Sequence, residues 1–342
     1  MKIILCALLA LPFWSMAQQL PVKISPNETD KKVEVYIGDE LFTAYWYPSA
    51  DVLKKPVLYP VISPAGNHIE RGWPYNPRTD ERVDHPHHVG VWFNAGDVNG
   101  NDFWNNSNDV DPTKHHYGTI VPTGIVKAKS GKKKGTIIAT ADWISHDGKL
   151  LLHETTTFTF SGTADARVID RKTTLEAVEK VDFVDNKEGM FAIRLARELE
   201  HASETSGLFT DANGVQTKMQ SLDNSKVTGQ YINDAGVKGA DVWSKRSTYM
   251  NLTGKLHGED VSVAMFDHPS NHNYPAHWHA RGYGLYAVNN IGSTVFSDGK
   301  EPASDFTLQP GEKTTFQYRM VIASKTLSAA ELKDIAADFS QK

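Results

Sequence analysis

Cysteine is almost absent from this sequence, which excludes a fold held together by disulfide bonds. The single cysteine, Cys6, lies in an apolar run, residues 3–14, that follows one basic residue, Lys2. Small residues then lead to Ala17, as they do at secretory cleavage sites. We therefore expect residues 1–17 to be a signal peptide, and the mature chain to contain neither disulfides nor thiolate ligands.

Long apolar segments are lacking after the predicted signal peptide. No later run approaches the roughly 20 apolar residues that a membrane-spanning helix needs. We therefore expect an exported protein, either periplasmic or extracellular. Residues 18–342 are enough for one large β domain, and no low-complexity linker interrupts them.

Positive charge is in slight deficit, with 36 Lys and Arg residues against 41 Asp and Glu residues and a formal net charge of -5. This balance argues against nucleic acid or an anionic membrane as a partner. The sequence also lacks a Walker loop, a G-x-S-x-G elbow and an H-E-x-x-H motif. We expect a small-molecule or oligosaccharide substrate, with no nucleic acid and no integral membrane partner.

Alternation of polar and apolar residues with a period of two dominates the chain, as in LLHETTTFTF at residues 151–160. The alternating segments recur at the spacing of a β-sandwich or barrel. Helical patterning is confined to the C terminus, where a capping box at residues 328–331 precedes an apolar stripe of Leu332, Ile335, Ala336 and Phe339. The sequence therefore predicts an all-β, antiparallel fold with one short C-terminal helix.

Nine of the fourteen histidines fall in three windows, residues 85–88, 115–116 and 268–279. The first window lies in DHPHHVGVWFNAGDVNGNDFW (84–104) and the last in DHPSNHNYPAHWHARGYG (267–284), and both segments begin with Asp-His-Pro. Histidine pairs on two facing strands would supply ligands for Zn, Cu or Fe. One hypothesis is therefore a divalent metal, the one possible cofactor, bound by His85, His87, His277 and His279.

The same segments also suit proton transfer on a sugar. Histidine exchanges protons near neutral pH, and Arg281 could bind a carboxylate or a developing oxyanion. Sugar rings stack on aromatic faces, for which the candidates are Trp92, Trp104 and Trp278. A calcium loop over residues 97–108 is not supported, because Asp102 stands where an EF-hand needs glycine and Asn108 where it needs glutamate.

Further long motifs accompany the 84–104 segment, namely DNKEGMFAIRLA (185–196), GQYIN (229–233) and YPAHWHARGYGLYAVNN (274–290). Together they resemble a family of secreted bacterial proteins, common in Bacteroidetes, that carries the label "methane oxygenase PmoA". The resemblance extends over about residues 20–322 and implies a galactose-mutarotase-like β-supersandwich, a fold shared by aldose epimerases, polysaccharide lyases and glycosidase domains. Membrane methane monooxygenase activity is not expected, because that enzyme's subunit of the same name has spanning helices.

In mutarotases a histidine acts as acid and a carboxylate acts as base. The resemblance therefore implies catalytic roles for His87, His88, His279, Asp102 and Glu188. Two arginines, Arg194 and Arg281, would orient the substrate. The favoured hypothesis is an exported carbohydrate-active enzyme, which could be a hydrolase, a lyase or an epimerase. The alternatives are a His-ligated metal-dependent oxidoreductase and a non-catalytic glycan-binding module.

Overall fold

The computed structural model describes residues 18–202, 204, 206–219 and 222–342. The predicted signal peptide, with Cys6, lies outside the described residues. Strands make up 46% of the chain and helices 7%, which confirms the all-β prediction. Among the described residues, no helix is both long enough and apolar enough to cross a membrane.

Two antiparallel sheets of eight strands each form the fold. In spatial order, the first sheet consists of β1 (Val22–Asn27), β2 (Lys32–Ile37), β3 (Glu40–Trp46), β4 (Val57–Val61), β5 (Val91–Ala95), β11 (Gly189–Arg194), β18 (Leu285–Asn289) and β17 (His277–Ala280). The second consists of β14 (Gln230–Asn233), β15 (Tyr249–Leu256), β16 (Glu259–Asp267), β20 (Lys313–Ala323), β9 (Ala166–Ala177), β8 (Leu150–Gly162), β7 (Gly135–Ile144) and β6 (Thr119–Lys129).

Two short two-stranded antiparallel pairs and a few helical turns complete the described structure. The pairs are β10 (Val181–Phe183) with β19 (Phe306–Leu308), and β12 (Gly207–Thr210) with β13 (Gln216–Met219). The helical segments are two 3-10 turns, Arg197–Leu199 and Gly239–Val242, and the helices α1 (Ser293–Phe296) and α2 (Ala329–Phe339).

The predicted C-terminal helix is confirmed as α2. The hydroxyl of Ser328 accepts a hydrogen bond from the backbone N–H of Glu331, and the carboxylate of Glu331 accepts one from the backbone N–H of Ser328. The predicted apolar stripe packs on the second sheet through Leu332, Ile335 and Phe339. The single-turn helix α1 was not predicted, because four residues are too few to show a helical repeat.

The hydrophobic core lies between the two sheets. Phe93 of β5 packs edge-on against Trp143 of β7 and beside Phe316 of β20. The alternation predicted for β8 buries one face of that strand, including Glu154. This carboxylate forms an ion pair with Arg171 at 2.8 Å, so it is a satisfied core group.

The outer face of the first sheet carries part of the candidate site. The register places Ala192 of β11 opposite both Trp92 of β5 and Ala287 of β18. Ala287 lies in turn opposite His279 of β17. Because residues paired across neighbouring strands share a face, these four residues form one row across four strands.

Candidate functional site

A buried arginine forms several hydrogen bonds to the loop of residues 84–88, which contains three histidines. Arg71 is 1% exposed, and its guanidinium donates to the carbonyl oxygens of residues 82, 84, 85 and 88 at 2.8–3.2 Å. It also donates to Oδ1 of Asp84 at 2.7 Å. His85 occupies the left-handed region, at φ 46°, which residues with a side chain seldom adopt. Tertiary hydrogen bonds therefore stabilise this turn.

Arg194, at the end of β11, binds the same carboxylate, with Nη2 2.8 Å from Oδ1 of Asp84. Burial alone would raise the pKa of Asp84, but the hydrogen bond from His85 and the charges of Arg194 and Arg71 hold that pKa well below its usual range. Arg194 is itself fully buried. Its predicted role as a substrate clamp is therefore not supported, because it lies beneath the loop and is already paired.

Three residues named in the sequence analysis stack in a column with a fourth ring, that of Tyr283. Tyr283, His85, His88 and Trp92 form a column with successive centroid separations of 5.3, 4.9 and 5.0 Å. Trp104 packs edge-on against Trp92 at 5.3 Å. Both tryptophans are at most 1% exposed, so neither offers a free face to a sugar, and their predicted stacking roles are not supported.

Two more predicted site residues are packed inside the protein. Trp278 of β17 is fully buried on the inner face, where its Nε1 donates to the carbonyl of Ser247 at 2.9 Å. Stacking of Trp278 on a substrate is therefore not supported. His88 is also fully buried, and its Nδ1 lies 3.3 Å from Nη1 of Arg194. It belongs to the ring column and is not among the residues that line the cleft, so its predicted catalytic role is not supported.

An open cleft of about 700 Å³ adjoins the loop. Among its lining residues are His85, His87, Asp102, Asn105, His116 and Glu188. Ligand pockets in proteins commonly measure about 300–1,000 Å³, so this cleft has room for a small molecule or part of a chain. The fold therefore brings together three residues that the sequence assigned to catalysis, His87, Asp102 and Glu188.

His87 is a buried group with unused hydrogen-bonding capacity. Its side chain is 5% exposed, yet neither ring nitrogen has a hydrogen-bond partner among the described residues. Burial, and next the charge of Lys55, lower the pKa of His87 well below its usual value, so the ring is neutral. A neutral imidazole has one N–H and one lone pair. Because buried polar atoms are normally paired, two unpaired nitrogens on one buried ring are uncommon in a folded protein.

Asp102 lies on the same cleft and is held by its own turn. Its Oδ1 accepts hydrogen bonds from the backbone N–H groups of Trp104 and Asn105, both at 2.9 Å. Its Oδ2 accepts from Nδ2 of Asn105 at 2.8 Å. Burial is the main cause of a raised pKa for Asp102, and the negative charge of Glu188 adds to it. This carboxyl group therefore keeps its proton to a higher pH than a free aspartate does.

Glu188 is coupled to Asp102 through one amide. Nδ2 of Asn105 donates to Oε2 of Glu188 at 2.5 Å as well as to Asp102, and Nζ of Lys187 lies 2.8 Å from Oε1. Glu188 can pack this closely against residue 96 because that residue is glycine. A Cβ there would come within 2.9 Å of the side chains of Asn186 and Glu188. The result is a pair of carboxyl groups with different surroundings, an arrangement that separates acid and base roles.

His279 of β17 is not itself among the residues that line the cleft, but it contacts one of them. Its Nδ1 lies 2.9 Å from the carbonyl oxygen of Lys187. Because a carbonyl only accepts, Nδ1 carries the hydrogen and Nε2 keeps a lone pair. Burial, followed by the charges of Arg281 and Lys187, lowers the pKa of His279 to about 3, so the ring is neutral at physiological pH. The contact with residue 187 places this histidine next to Glu188.

The four histidines of the metal hypothesis do not share one site. His277 points toward other groups, with Nδ1 2.7 Å from the carbonyl of Ser244 and Nε2 3.5 Å from Glu301. Over the part of the chain that the structure describes, no three His, Cys, Asp or Glu side chains are grouped so that they could hold a metal ion. The predicted ligand set of His85, His87, His277 and His279 is therefore not supported.

The second Asp-His-Pro segment lies elsewhere in the fold. Asp267 ends β16 in the second sheet, where its Oδ2 accepts from the backbone N–H of Ala276 and its Oδ1 from Asn271. Burial raises the pKa of Asp267 to about 7. His268 packs against Phe339 of α2. The two Asp-His-Pro segments are therefore not a matched pair, and His279 is the predicted catalytic histidine that the second segment contributes.

Sequence reasoning missed several residues that shape the site. The sequence shows no signal for Arg71, Lys55, Asn105 or Tyr283, whose roles depend on distant partners. The window at residues 115–116 was visible as a histidine cluster, and both its histidines line the cleft. His116 stacks on His146 at 3.9 Å.

Lys55 leads to a testable pH dependence. It is 2% exposed and donates to the carbonyl of His87 at 2.8 Å, and burial lowers its pKa to about 7. An unfolded lysine has a pKa of about 10.4, so between these values the unfolded chain binds more protons and Lys55 makes stability rise with pH. We expect Lys55→Met to remove this rise, as measured by urea unfolding from pH 7 to 10. The half-buried neighbour provides a control, Lys54→Met, which should keep the wild-type slope; equal slopes in all three proteins would contradict the assignment.

Several solved structures resemble this chain at low sequence identity. Solved structures that are similar include an alpha-galactosidase from Geobacillus stearothermophilus (10% identity, TM-score 0.34, 88% of this chain and 40% of that chain). A 4-alpha-glucanotransferase from Thermococcus litoralis is 11% identical, with a TM-score of 0.33 over 90% of this chain and 40% of that chain. A putative aldose 1-epimerase from Escherichia coli is 9% identical, with a TM-score of 0.28 over 88% of this chain and 98% of that chain.

These similarities are too low to assign an activity to the chain, which spans about two fifths of the length of the galactosidase and the glucanotransferase. A comparison with curated proteins found no match. The label "methane oxygenase PmoA", which the sequence motifs suggested, does not occur in the description of the matching family. The model of DUF6807, described as a family of unknown function, matches residues 32–337, and the chain therefore belongs to that family.

Proposed function

We propose that this protein is an exported carbohydrate-active enzyme that acts on a glycan or sugar by proton transfer in the cleft. The observation that carries the proposal is His87, a neutral and buried imidazole with two unpaired ring nitrogens on the same cleft as the carboxyl groups of Asp102 and Glu188. Imidazole and carboxyl groups around one cavity are the usual participants in general acid–base catalysis.

The surroundings of each group suggest its role. Asp102, whose pKa is raised, is the group suited to donate a proton. Nε2 of His279 keeps a lone pair and can accept a hydrogen bond, but the low pKa of this ring makes it a weak base, so the carboxylate of Glu188 is better suited to accept a proton. His87 has one N–H and one lone pair, so it can pass on a proton as well as bind a sugar hydroxyl. Glu188, held by Lys187 and Asn105, can accept hydrogen bonds from further hydroxyl groups.

A sugar is the substrate class that best suits this lining. The cleft presents imidazoles, carboxyl groups and amides in close succession, and sugars carry hydroxyl groups that both donate and accept. The predicted export also agrees with a substrate met outside the cytoplasm. Hydrolysis, elimination and epimerisation all use an acid and a base, and the proposal covers the three reactions as one class.

The two alternatives have weaker support. A metal-dependent oxidoreductase would need a ligand set that the described residues do not assemble. A glycan-binding module was argued from three tryptophans, and all three are buried. A binding module would therefore have to use the same polar cleft, without turnover.

Turnover is the direct test. We expect the purified protein to convert at least one member of a panel of neutral and acidic oligosaccharides, with products identified by mass spectrometry. Glu188→Gln should slow that conversion, whereas Glu179→Gln, at an exposed position outside the cleft, should not. Binding without any product would favour the glycan-binding module, and equal turnover by wild type and Glu188→Gln would refute the assigned site.

A further inference from the structure

An exposed arginine without a carboxylate partner lies beside the ring column. The guanidinium of Arg281 is 5.6 Å from the ring centroid of Trp243 and 5.9 Å from that of Tyr283. Arg281 forms no salt bridge with any residue that the structure describes, and its side chain is exposed. Its backbone is held in a turn, with the N–H bonded to the carbonyl of Leu285 at 2.8 Å and the carbonyl bonded to the N–H of Gly284 at 3.0 Å.

This arginine is close to the proposed catalytic groups. Tyr283, over which it lies, stacks on His85 with an angle of 6° between the ring planes, and His85 lines the cleft. Arg281 is also the charge that contributes most to lowering the pKa of His279. Arg281 therefore lies one ring away from the lining of the cleft and near His279, a position that we call the rim.

The other charged groups near this rim are already engaged with partners. Arg71 and Arg194 share the single carboxylate of Asp84, and Lys187 is paired with Glu188. Two further carboxyl groups line the cleft: Asp102 is engaged by Asn105 and by its own turn, and Asp97 accepts a hydrogen bond from the backbone N–H of Gly100. Arg281 is therefore an exposed guanidinium that no carboxylate of the described residues pairs with, and it is available to bind an anion from solution.

We propose that the substrate of this cleft is an acidic glycan, whose carboxylate or sulfate group binds the guanidinium of Arg281 at the rim. This inference rests on the proposed function, because it names the substrate class of the same site. Guanidinium binds planar and tetrahedral oxyanions through two parallel N–H groups. The two aromatic rings hold Arg281 in place, so less side-chain freedom is lost when the anion binds. Arg194 cannot take this role, since it is buried and paired.

Binding measurements separate this inference from catalysis. In a Glu188→Gln background, calorimetry would compare oligogalacturonides of two to four units, their carboxyl-reduced counterparts and sulfated galactose oligosaccharides. We expect the acidic ligands to bind more tightly than the reduced ones, and more weakly as salt rises. Arg281→Gln should weaken binding of the preferred acidic ligand by about tenfold to a hundredfold, because a charge-assisted bond is lost. Arg281→Lys should recover part of that loss, and the exposed control Lys127→Gln should change nothing.

The outcomes decide between the two proposals. Preference for oligogalacturonides identifies a carboxylate as the recognised group, and preference for the sulfated ligands identifies a sulfate. Equal binding of acidic and reduced ligands, no binding of any acidic ligand, or an Arg281→Gln variant that binds as the unsubstituted protein does would each overturn the acidic-glycan inference. Acidic glycans that bind through Arg281 but are never converted would contradict the proposed enzyme and leave this inference standing. Turnover of neutral glycans alone would support the proposed enzyme and overturn the acidic-glycan inference.

Discussion

Replacing Asp84 with asparagine is expected to lower the free energy of unfolding by about 3 kcal/mol, the lower end of the range for breaking a buried ion pair. Oδ1 of Asp84 is bound by Arg71 at 2.7 Å and by Arg194 at 2.8 Å. Both arginines are at most 1% exposed, so the substitution leaves two buried guanidinium groups without a counter-charge. The lower end applies because the side chain of Asp84 is 32% exposed and water screens part of the interaction.

Urea unfolding at neutral pH would measure this effect. The control is Asp80→Asn, an exposed aspartate whose φ of 66° asparagine tolerates, and it should change stability little. In the double variant Asp84→Asn/Arg194→Met one of the two stranded charges is gone, so we expect part of the stability to return. A loss of stability equal to that of the control, or no recovery in the double variant, would show that Asp84 does not stabilise the fold by neutralising the two buried arginines.

The ion pairs of Asp84 also determine the pH range in which acid lowers the stability of the protein. The pKa of Asp84 is lowered in the folded state, so its stabilising contribution is complete above the unfolded value of about 3.9. It is lost as the pH falls from that value through the folded pKa. The difference in stability between wild type and Asp84→Asn should therefore be constant near neutrality and shrink below about pH 4. A difference that persists unchanged into stronger acid would contradict the lowered pKa.

Replacing His87 with glutamine is expected to reduce kcat/KM by about a hundredfold to ten-thousandfold on the substrate found by the turnover screen, the usual contribution of a positioned acid or base. Glutamine retains one donor and one acceptor group, so it preserves hydrogen bonding to the substrate but cannot exchange a proton. We therefore expect most of the loss in kcat and little change in KM. Steady-state kinetics would measure kcat and KM separately.

A histidine far from the cleft provides the matched control. His153 is exposed on β8 and pairs with Asp142, so His153→Gln should leave both kinetic constants near their wild-type values. A circular dichroism spectrum and an unfolding curve for each variant would separate lost chemistry from lost structure. If His87→Gln raised KM alone, His87 would be a binding residue and not a proton-transfer group.

Part of the site could be predicted from local sequence. His87, Asp102 and Glu188 share one cleft, and the histidine window at residues 115–116 also lines it. These residues were recognisable because polar and titratable side chains are clustered in segments rich in Gly, Asn and Asp, which form loops. Their clustering does not reveal burial, however. Trp92 and His88, drawn from the same stretch, are enclosed by neighbours from other segments and reach no ligand.

The sequence by itself determined the all-β class, the alternation of β8 and the capped helix α2, because each depends on residues a few positions apart and on the periods of strand and helix. Only the tertiary structure decided that Arg194 pairs with Asp84 and that Asn105 joins Asp102 to Glu188. It also decided that His277 contacts the carbonyl of Ser244 and does not share a site with His279. Those outcomes depend on contacts between residues about 30 to more than 100 positions apart, and on how water is excluded around each charge. No local pattern encodes either, so the chemistry of this site depends on how distant loops meet at the outer face of the first sheet.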